Sequence, residues 1–119
     1  MNDLTIPITE VAADIARIGA VLGAAGIGLE GGGVWNGAAH YLVADGTAAV
    51  HALEQAGIRG ADSRPALVVP LRADVPGEMG RMMSALHIAG IRVDAQYSDH
   101  DNRKVFVVDD PQRAEAVLR

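Results

Sequence analysis

The sequence predicts an α+β protein in which one small unit is used twice, each copy a ferredoxin-like βαββα(β) arrangement with helices on one face of an antiparallel sheet. Three observations carry that expectation. The chain matches itself without a gap when slid by 64 residues. Each copy holds an apolar-striped helix stopped by glycine. Each then shows strand-like runs around a polar turn, followed by a second, acid-capped helix.

The self-match lays Arg17, Leu22, Ala25-Gly26-Ile27, Val43, Asp45 and Ala52 on Arg81, Leu86, Ala89-Gly90-Ile91, Val107, Asp109 and Ala116, and Val11 on Val75. The first strand of each copy is read at Leu4-Thr5-Ile6 and at Ala66 to Val69. Ile15, Ile18, Leu22 and Ala25 then recur at steps of three and four, one face of a helix, as do Met79, Met82, Met83 and Leu86. That spacing assigns the methionines to core packing. Gly26 and Gly90 stand where a left-handed residue ends each helix.

Strand-like stretches follow at Ile27–Trp35 and Ile91–Tyr97. Asn36-Gly37 is a favoured hairpin turn, and Asp99-His100-Asp101-Asn102 is its polar counterpart. His40 to Val43 and Val105 to Val108 are the returning strands. Asp45-Gly46 and Asp110-Pro111 open the second helices. A short last strand is expected near Ile58-Arg59 in the first copy. The second copy is expected to be three-stranded, or completed by another segment. The domain division is placed at residues 1–62 and 63–119.

Composition narrows the function classes. The chain has 119 residues and no cysteine, which removes disulfides, thiolate metal sites and cysteine nucleophiles. Half the residues are hydrophobic, yet Trp35, Tyr41, Tyr97 and Phe106 are the only aromatic ones, so the core is aliphatic. The formal charge of −5 offers no counterion-release gain on phosphates, and so few aromatics make no base-stacking platform; neither nucleic acid nor an anionic membrane is an expected partner. The longest apolar run, Ile18 to Leu29, is shorter than the ~20 residues of a spanning helix. A cytoplasmic location is the expectation.

Charge is unevenly placed. Residues 1–60 carry two Arg and six acids, whereas residues 61–119 carry seven Arg, one Lys and nine acids. A charge-poor surface favours association, so a homodimer pairing through the first copy is expected, with a small hydrophobic ligand crevice as the competing explanation.

Four places invite a chemical reading. Asp74-Val75-Pro76-Gly77-Glu78 joins a strand to a helix start, where glycine allows close backbone approach and free N–H groups attract a carboxylate. Gly31-Gly32-Gly33 interrupts a strand, which suits a bulge, or a ligand or partner backbone lying close. No lysine follows it, so it is no phosphate loop. Asp99-His100-Asp101 places an imidazole between carboxylates, a possible acid–base or cation site or simply a solvated turn. His40 and His51 have no acidic neighbour in sequence and read as polar-face residues. Trp35 suits either an interface or a pocket wall. No residue pattern calls for a cofactor, a metal or a serine nucleophile.

Asp74-Val75-Pro76-Gly77-Glu78-Met79, followed by Leu86 and Ala89-Gly90-Ile91, resembles the ACT-domain signature, and with the repeat the whole chain resembles small stand-alone tandem-ACT proteins. The first copy departs from it, with Glu10-Val11-Ala12-Ala13 in place of Pro-Gly. The resemblance implies an amino acid or related metabolite as ligand, bound where two ACT units meet. It implies contacts from Asp74 to Glu78 and from the facing strands, including Gly31, Gly32, Gly33, Arg92 and Tyr97. Many such sites carry Asn after the Gly-Ile of strand two; Gly28 and Arg92 stand there instead. The function expected is therefore a non-catalytic amino-acid sensor. The alternatives are a small enzyme or accessory catalyst using the Asp99-His100-Asp101 turn, and a purely structural dimerisation module.

Overall fold

A computed structural model describes residues 1–119. The chain divides into two compact units, Met1–Arg64 and Pro65–Arg119. Unit 1 contains β1 (Asn2–Pro7), α1 (Val11–Ala24), β2 (Gly31–Trp35), β3 (Ala38–Val43), α2 (Gly46–Gln55) and β4 (Asp62–Pro65). Unit 2 contains β5 (Leu67–Val69), α3 (Glu78–Ile88), β6 (Val93–Ser98), β7 (Lys104–Val108) and α4 (Pro111–Leu118). The sheets run in the orders β2-β3-β1-β4 and β5-β7-β6. This is the α+β, ferredoxin-like class that the sequence predicts, with three strands in the second copy.

The repeat extends to strand register. Leu4 lies opposite Tyr41 in unit 1, and Val68 lies opposite Val105 in unit 2, each partner displaced by the same 64 residues. Both pairs are antiparallel, but the faces are out of step by one residue: Leu4, Ile6 and Val43 meet the helices in unit 1, whereas Leu67, Val69 and Val108 do so in unit 2.

Helix α1 turns Ile18 and Leu22 into a core with Leu4, Ile6, Ala39, Val43, Ala49 and Leu53. Its entrance is held from within, because the Asp14 carboxylate accepts the Thr9 and Glu10 N–H groups at 2.8 and 3.2 Å. In unit 2, Met82 and Leu86 from α3 meet Leu67, Phe106, Val108 and Ala114, with Met79 and Met83 packed alongside. Each such aliphatic side chain contributes roughly 1.5–3 kcal/mol by leaving water. Asp45 and Asp110 cap α2 and α4 as expected, their carboxylates accepting the Ala48 and Arg113 N–H groups at 3.0 and 3.1 Å.

Three helices end in the same way. Gly26, Gly57 and Gly90 take φ values of 73°, 79° and 73°. The following Ile27, Ile58 and Ile91 N–H groups return to the carbonyls of Leu22, Leu53 and Leu86 at 2.9, 2.9 and 3.0 Å. This is the Schellman stop, in which the residue after glycine bonds back to the last turn and packs against it. The Leu-x-x-Ala-Gly-Ile string therefore occurs three times, once more than the repeat alone requires.

The fourth strand of unit 1 differs from expectation. Ile58-Arg59 is not a strand: the Ile58 N–H is committed to the α2 stop and its side chain is in the core at 9% exposure. Gly60, at φ 83° and close against the Pro7 ring, turns the chain, and β4 begins only at Asp62.

The two hairpins differ. Asn36 and Gly37, at φ 51° and 73°, form the two-residue turn expected between β2 and β3. The β6–β7 connection is longer, and β7 is buried along its entire length, Lys104 to Val108. No helix is long and apolar enough to cross a membrane.

Candidate functional site

The connection between β5 and α3 folds back on itself. Ala73 donates its N–H to Leu71 O at 3.0 Å, Val75 to Arg72 O at 3.0 Å and Glu78 to Val75 O at 3.3 Å. Gly77 sits just before the helix at φ 87°, a left-handed position that glycine enters without penalty. The first helical bond is Arg81 N–H to Gly77 O at 2.9 Å. The N–H groups of Gly77, Met79 and Gly80 consequently have no backbone acceptor, as the first turn of a helix dictates. Pro76 has no N–H, and that of Val75 is internally committed. The helix also starts later than Asp74-Val75-Pro76 suggests, because Pro76 belongs to the turn.

This loop lines a cavity of about 270 Å³, whose walls are Leu71, Arg72, Ala73, Val75, Pro76, Gly77, Glu78 and Met79. Four of the five expected loop residues are among them; Asp74 is exposed and is not. The residues that the sequence reading missed are Leu71, Arg72, Ala73 and Met79.

Glu78 organises the wall. Its carboxylate, only 5% exposed, accepts Arg72 Nε at 2.9 Å and Arg81 Nε at 2.6 Å, and the Arg81 terminal nitrogen also closes on Oε1. The Arg81 hydrogen bond, opposed by burial and reinforced by Arg72, holds the carboxyl below its usual range. Glu78 is therefore anionic at neutral pH and fixes the Arg72 guanidinium on the wall of the loop cavity. Such an arrangement supplies a concentrated set of donors, which suits a carboxylate.

The glycine run has a reason within unit 1. At Gly32, φ is 147° and a Cβ would lie 2.0 Å from the His40 carbonyl oxygen. At Gly33 a Cβ would lie 2.7 Å from the Trp35 ring. Trp35 in turn stacks on the His40 imidazole, with centroids 4.9 Å apart and planes at 9°. The glycines thus admit the neighbouring strand and an aromatic ring of their own sheet.

His40 is no simple polar-face residue. The register brings β1 beside β3, and the His40 Nδ1 lies 3.1 Å from Asp3 Oδ2, with side-chain exposures of 13% and 0%. The Thr5 hydroxyl donates to the same oxygen at 2.6 Å. Sequence neighbours of His40 carry no acid, but Asp3 and Thr5 alternate on one face of the adjacent strand, and that is the signal by which the cluster could have been found.

In unit 2, Arg92 is occupied by Asp94, at 2.8 Å from Nε, and its backbone N–H donates to Asp109 at 3.0 Å. Tyr97 is 6% exposed. Neither residue, nor any of Gly31, Gly32 and Gly33, lines the loop cavity. Asp99 is buried and accepts the Asp101 N–H at 2.9 Å, the Arg103 N–H at 2.8 Å and Arg103 Nε at 2.7 Å. Burial alone would raise its carboxyl; these three donors outweigh it and hold the group below its ordinary range. His100 and Asp101 are exposed, and no hydrogen bond joins His100 to either acid. The arrangement clamps a hairpin shut and leaves the imidazole in solvent.

The sequence matches no family model and no curated protein. The fold, however, is shared with solved structures. A protein from Bacteroides thetaiotaomicron, BT0572, superimposes with a TM-score of 0.79 at 18% identity, over 98% of this chain and 85% of that one. The ligand-free regulatory subunit of aspartate kinase from Thermus thermophilus gives 0.72 at 19% identity, over 99% and 86%. The corresponding regulatory subunit from Thermus flavus gives 0.71 at 23%, over 99% and 88%.

Proposed function

We propose that the protein is a non-catalytic regulatory module that binds a small amino acid or related metabolite at the β5–α3 loop. The carrying observation is the loop cavity itself: about 270 Å³, with the Gly77, Met79 and Gly80 N–H groups open at the start of α3 and Arg72 held beside them by Glu78. A ligand carboxylate would take those donors. The open side would be closed by a strand of another ACT-type unit. The likeness in fold to aspartate kinase regulatory subunits supports this reading. So does the low charge of the α1 surface, where Asp14 and Arg17 are the only ionisable residues and which suits pairing of two copies into a homodimer.

The test is a melting screen of the twenty amino acids at millimolar concentration. A ligand present at 100 times its Kd stabilises by about 2.7 kcal/mol, which raises Tm by several degrees. Replacing Arg72 with Gln should then weaken the response. A chain whose melting none of the twenty alters would refute the amino-acid reading.

A further inference from the structure

Apart from its donors, the loop cavity is largely apolar. Leu71, Ala73, Val75, Pro76 and Met79 line the 270 Å³ space, and no wall side chain carries a hydroxyl, an amide or an imidazole. The two charged wall residues are Arg72 and Glu78. Both oxygens of the Glu78 carboxylate are engaged, Oε2 by Arg72 at 2.9 Å and Oε1 by Arg81 at 2.6 Å. Asp74 stands in solvent and off the wall. The Leu71, Arg72 and Val75 carbonyl oxygens already accept N–H groups from within the turn.

These engagements sort ligands by their side chains. A basic side chain meets no unengaged carboxylate on the wall and faces the Arg72 cation instead. An acidic one brings a second carboxylate to a single donor set whose one cation is already paired with Glu78, where like charges repel. A hydroxyl or amide would leave water for a wall without a side-chain partner, a loss that an aliphatic group avoids. We propose that the loop takes a small carboxylate with an aliphatic tail, the chemistry shared by valine, leucine and methionine and by the oxo acids that correspond to them.

This selectivity rests on the reading of the loop as a carboxylate site and specifies what accompanies that carboxylate. With no free anion on the wall, an α-ammonium group adds little, so an amino acid and its oxo acid belong together as ligands. Met79, flexible and polarisable, adapts the wall to tails of different branching. The strand residues expected to close the site leave the balance unchanged. Gly31, Gly32 and Gly33 have no side chain, Arg92 is engaged by Asp94 at 2.8 Å, and Tyr97 is buried.

The experiment is isothermal titration of the 119-residue chain with leucine, valine, methionine, the oxo acid of leucine, aspartate, lysine and threonine. The tightest of the aliphatic four should bind about tenfold more strongly than aspartate, lysine or threonine, since burying an aliphatic side chain is worth at least that much. Val75→Asp, at a turn position whose side chain is 40% exposed, should lower the aliphatic affinity about tenfold and draw lysine in. If that variant folds poorly, the ranking on the unaltered chain still decides. Tightest binding by a charged or hydroxyl-bearing probe, or an unchanged ranking in a folded Val75→Asp, would overturn the aliphatic assignment and leave the loop standing as a carboxylate site. Binding by none of the probes would remove that carboxylate site itself, and the aliphatic assignment with it.

Discussion

Substituting alanine for the helix-ending glycines isolates the conformational part of a helix stop. Gly26 and Gly90 both sit at φ 73°, and a Cβ at either would meet nothing within 4 Å. At Gly57, φ is 79° and the nearest atom is an Arg17 nitrogen at 3.8 Å. No clash contributes, so the penalty is the left-handed backbone alone, about 1–2 kcal/mol for a residue with a Cβ. Alanine also stiffens the unfolded chain, which returns about 0.4–1 kcal/mol. The net loss is about 0–1.6 kcal/mol per site, centred on ~0.8 kcal/mol, or about 3 °C in Tm for a chain of this size. Asparagine, which tolerates this conformation better, should lose less. Gly32→Ala is the contrast: its Cβ would overlap a carbonyl oxygen at 2.0 Å, and a loss above about 3 kcal/mol is expected. Urea unfolding followed by circular dichroism measures all four. Equal losses at Gly26 and Gly32, or no loss at any of Gly26, Gly57 and Gly90, would refute the assignment of these glycines to backbone conformation on one hand and close packing on the other.

Two other perturbations probe the polar clusters. His40→Phe keeps a ring against Trp35 but removes a hydrogen bond from a carboxylate with no exposure, and should cost about 1.5–3 kcal/mol in denaturant unfolding; a neutral result would dismiss the Asp3 contact as unimportant. The Asp99 carboxyl is held below its ordinary pKa, so the unfolded chain binds the proton more readily, and stability rises with pH through the acid range. The contribution of Asp99 is complete above the unfolded carboxylate value near 3.8 and is lost as pH falls through the lower folded value. Asp99→Asn should therefore flatten the acid limb of the stability curve below about pH 4, and an unchanged limb would contradict the clamp.

Much of the fold is legible because its signals are local. A helix stripe, a glycine stop and an aspartate cap each lie within a few residues, and the 64-residue repeat checks the first helix and its glycine stop against a second copy. The misreadings are tertiary. Asp62-Ser63-Arg64-Pro65 has the composition of a turn and becomes a strand because the edge of β1 is available, an edge being where proline is tolerated. Ile58 has strand propensity, yet the stop of α2 takes its N–H. The candidate loop was recognisable from Pro76-Gly77-Glu78, whereas Arg72 became visible only once Glu78 was seen to point back at it. Asp3 and His40 are 37 residues apart and meet through strand register. The third Ala-Gly-Ile, at Ala56 to Ile58, shows that this tripeptide marks helix exits in general. It is weaker testimony to a binding site than its place in a family signature suggests.

The wholly enclosed β7 carries a hazard for the nascent chain. Val105-Phe106-Val107-Val108 is an uncharged run of strong strand formers, the composition that self-associates when left uncovered. Lys104 stands before it and Asp109-Asp110 after it, opposite charges at either end that discourage stacking of like segments. Burial pushes the Lys104 amine below its ordinary pKa, so the folded molecule bears a small desolvation penalty for that sentry. Such a residue protects the protein chiefly during the interval before its sheet is assembled.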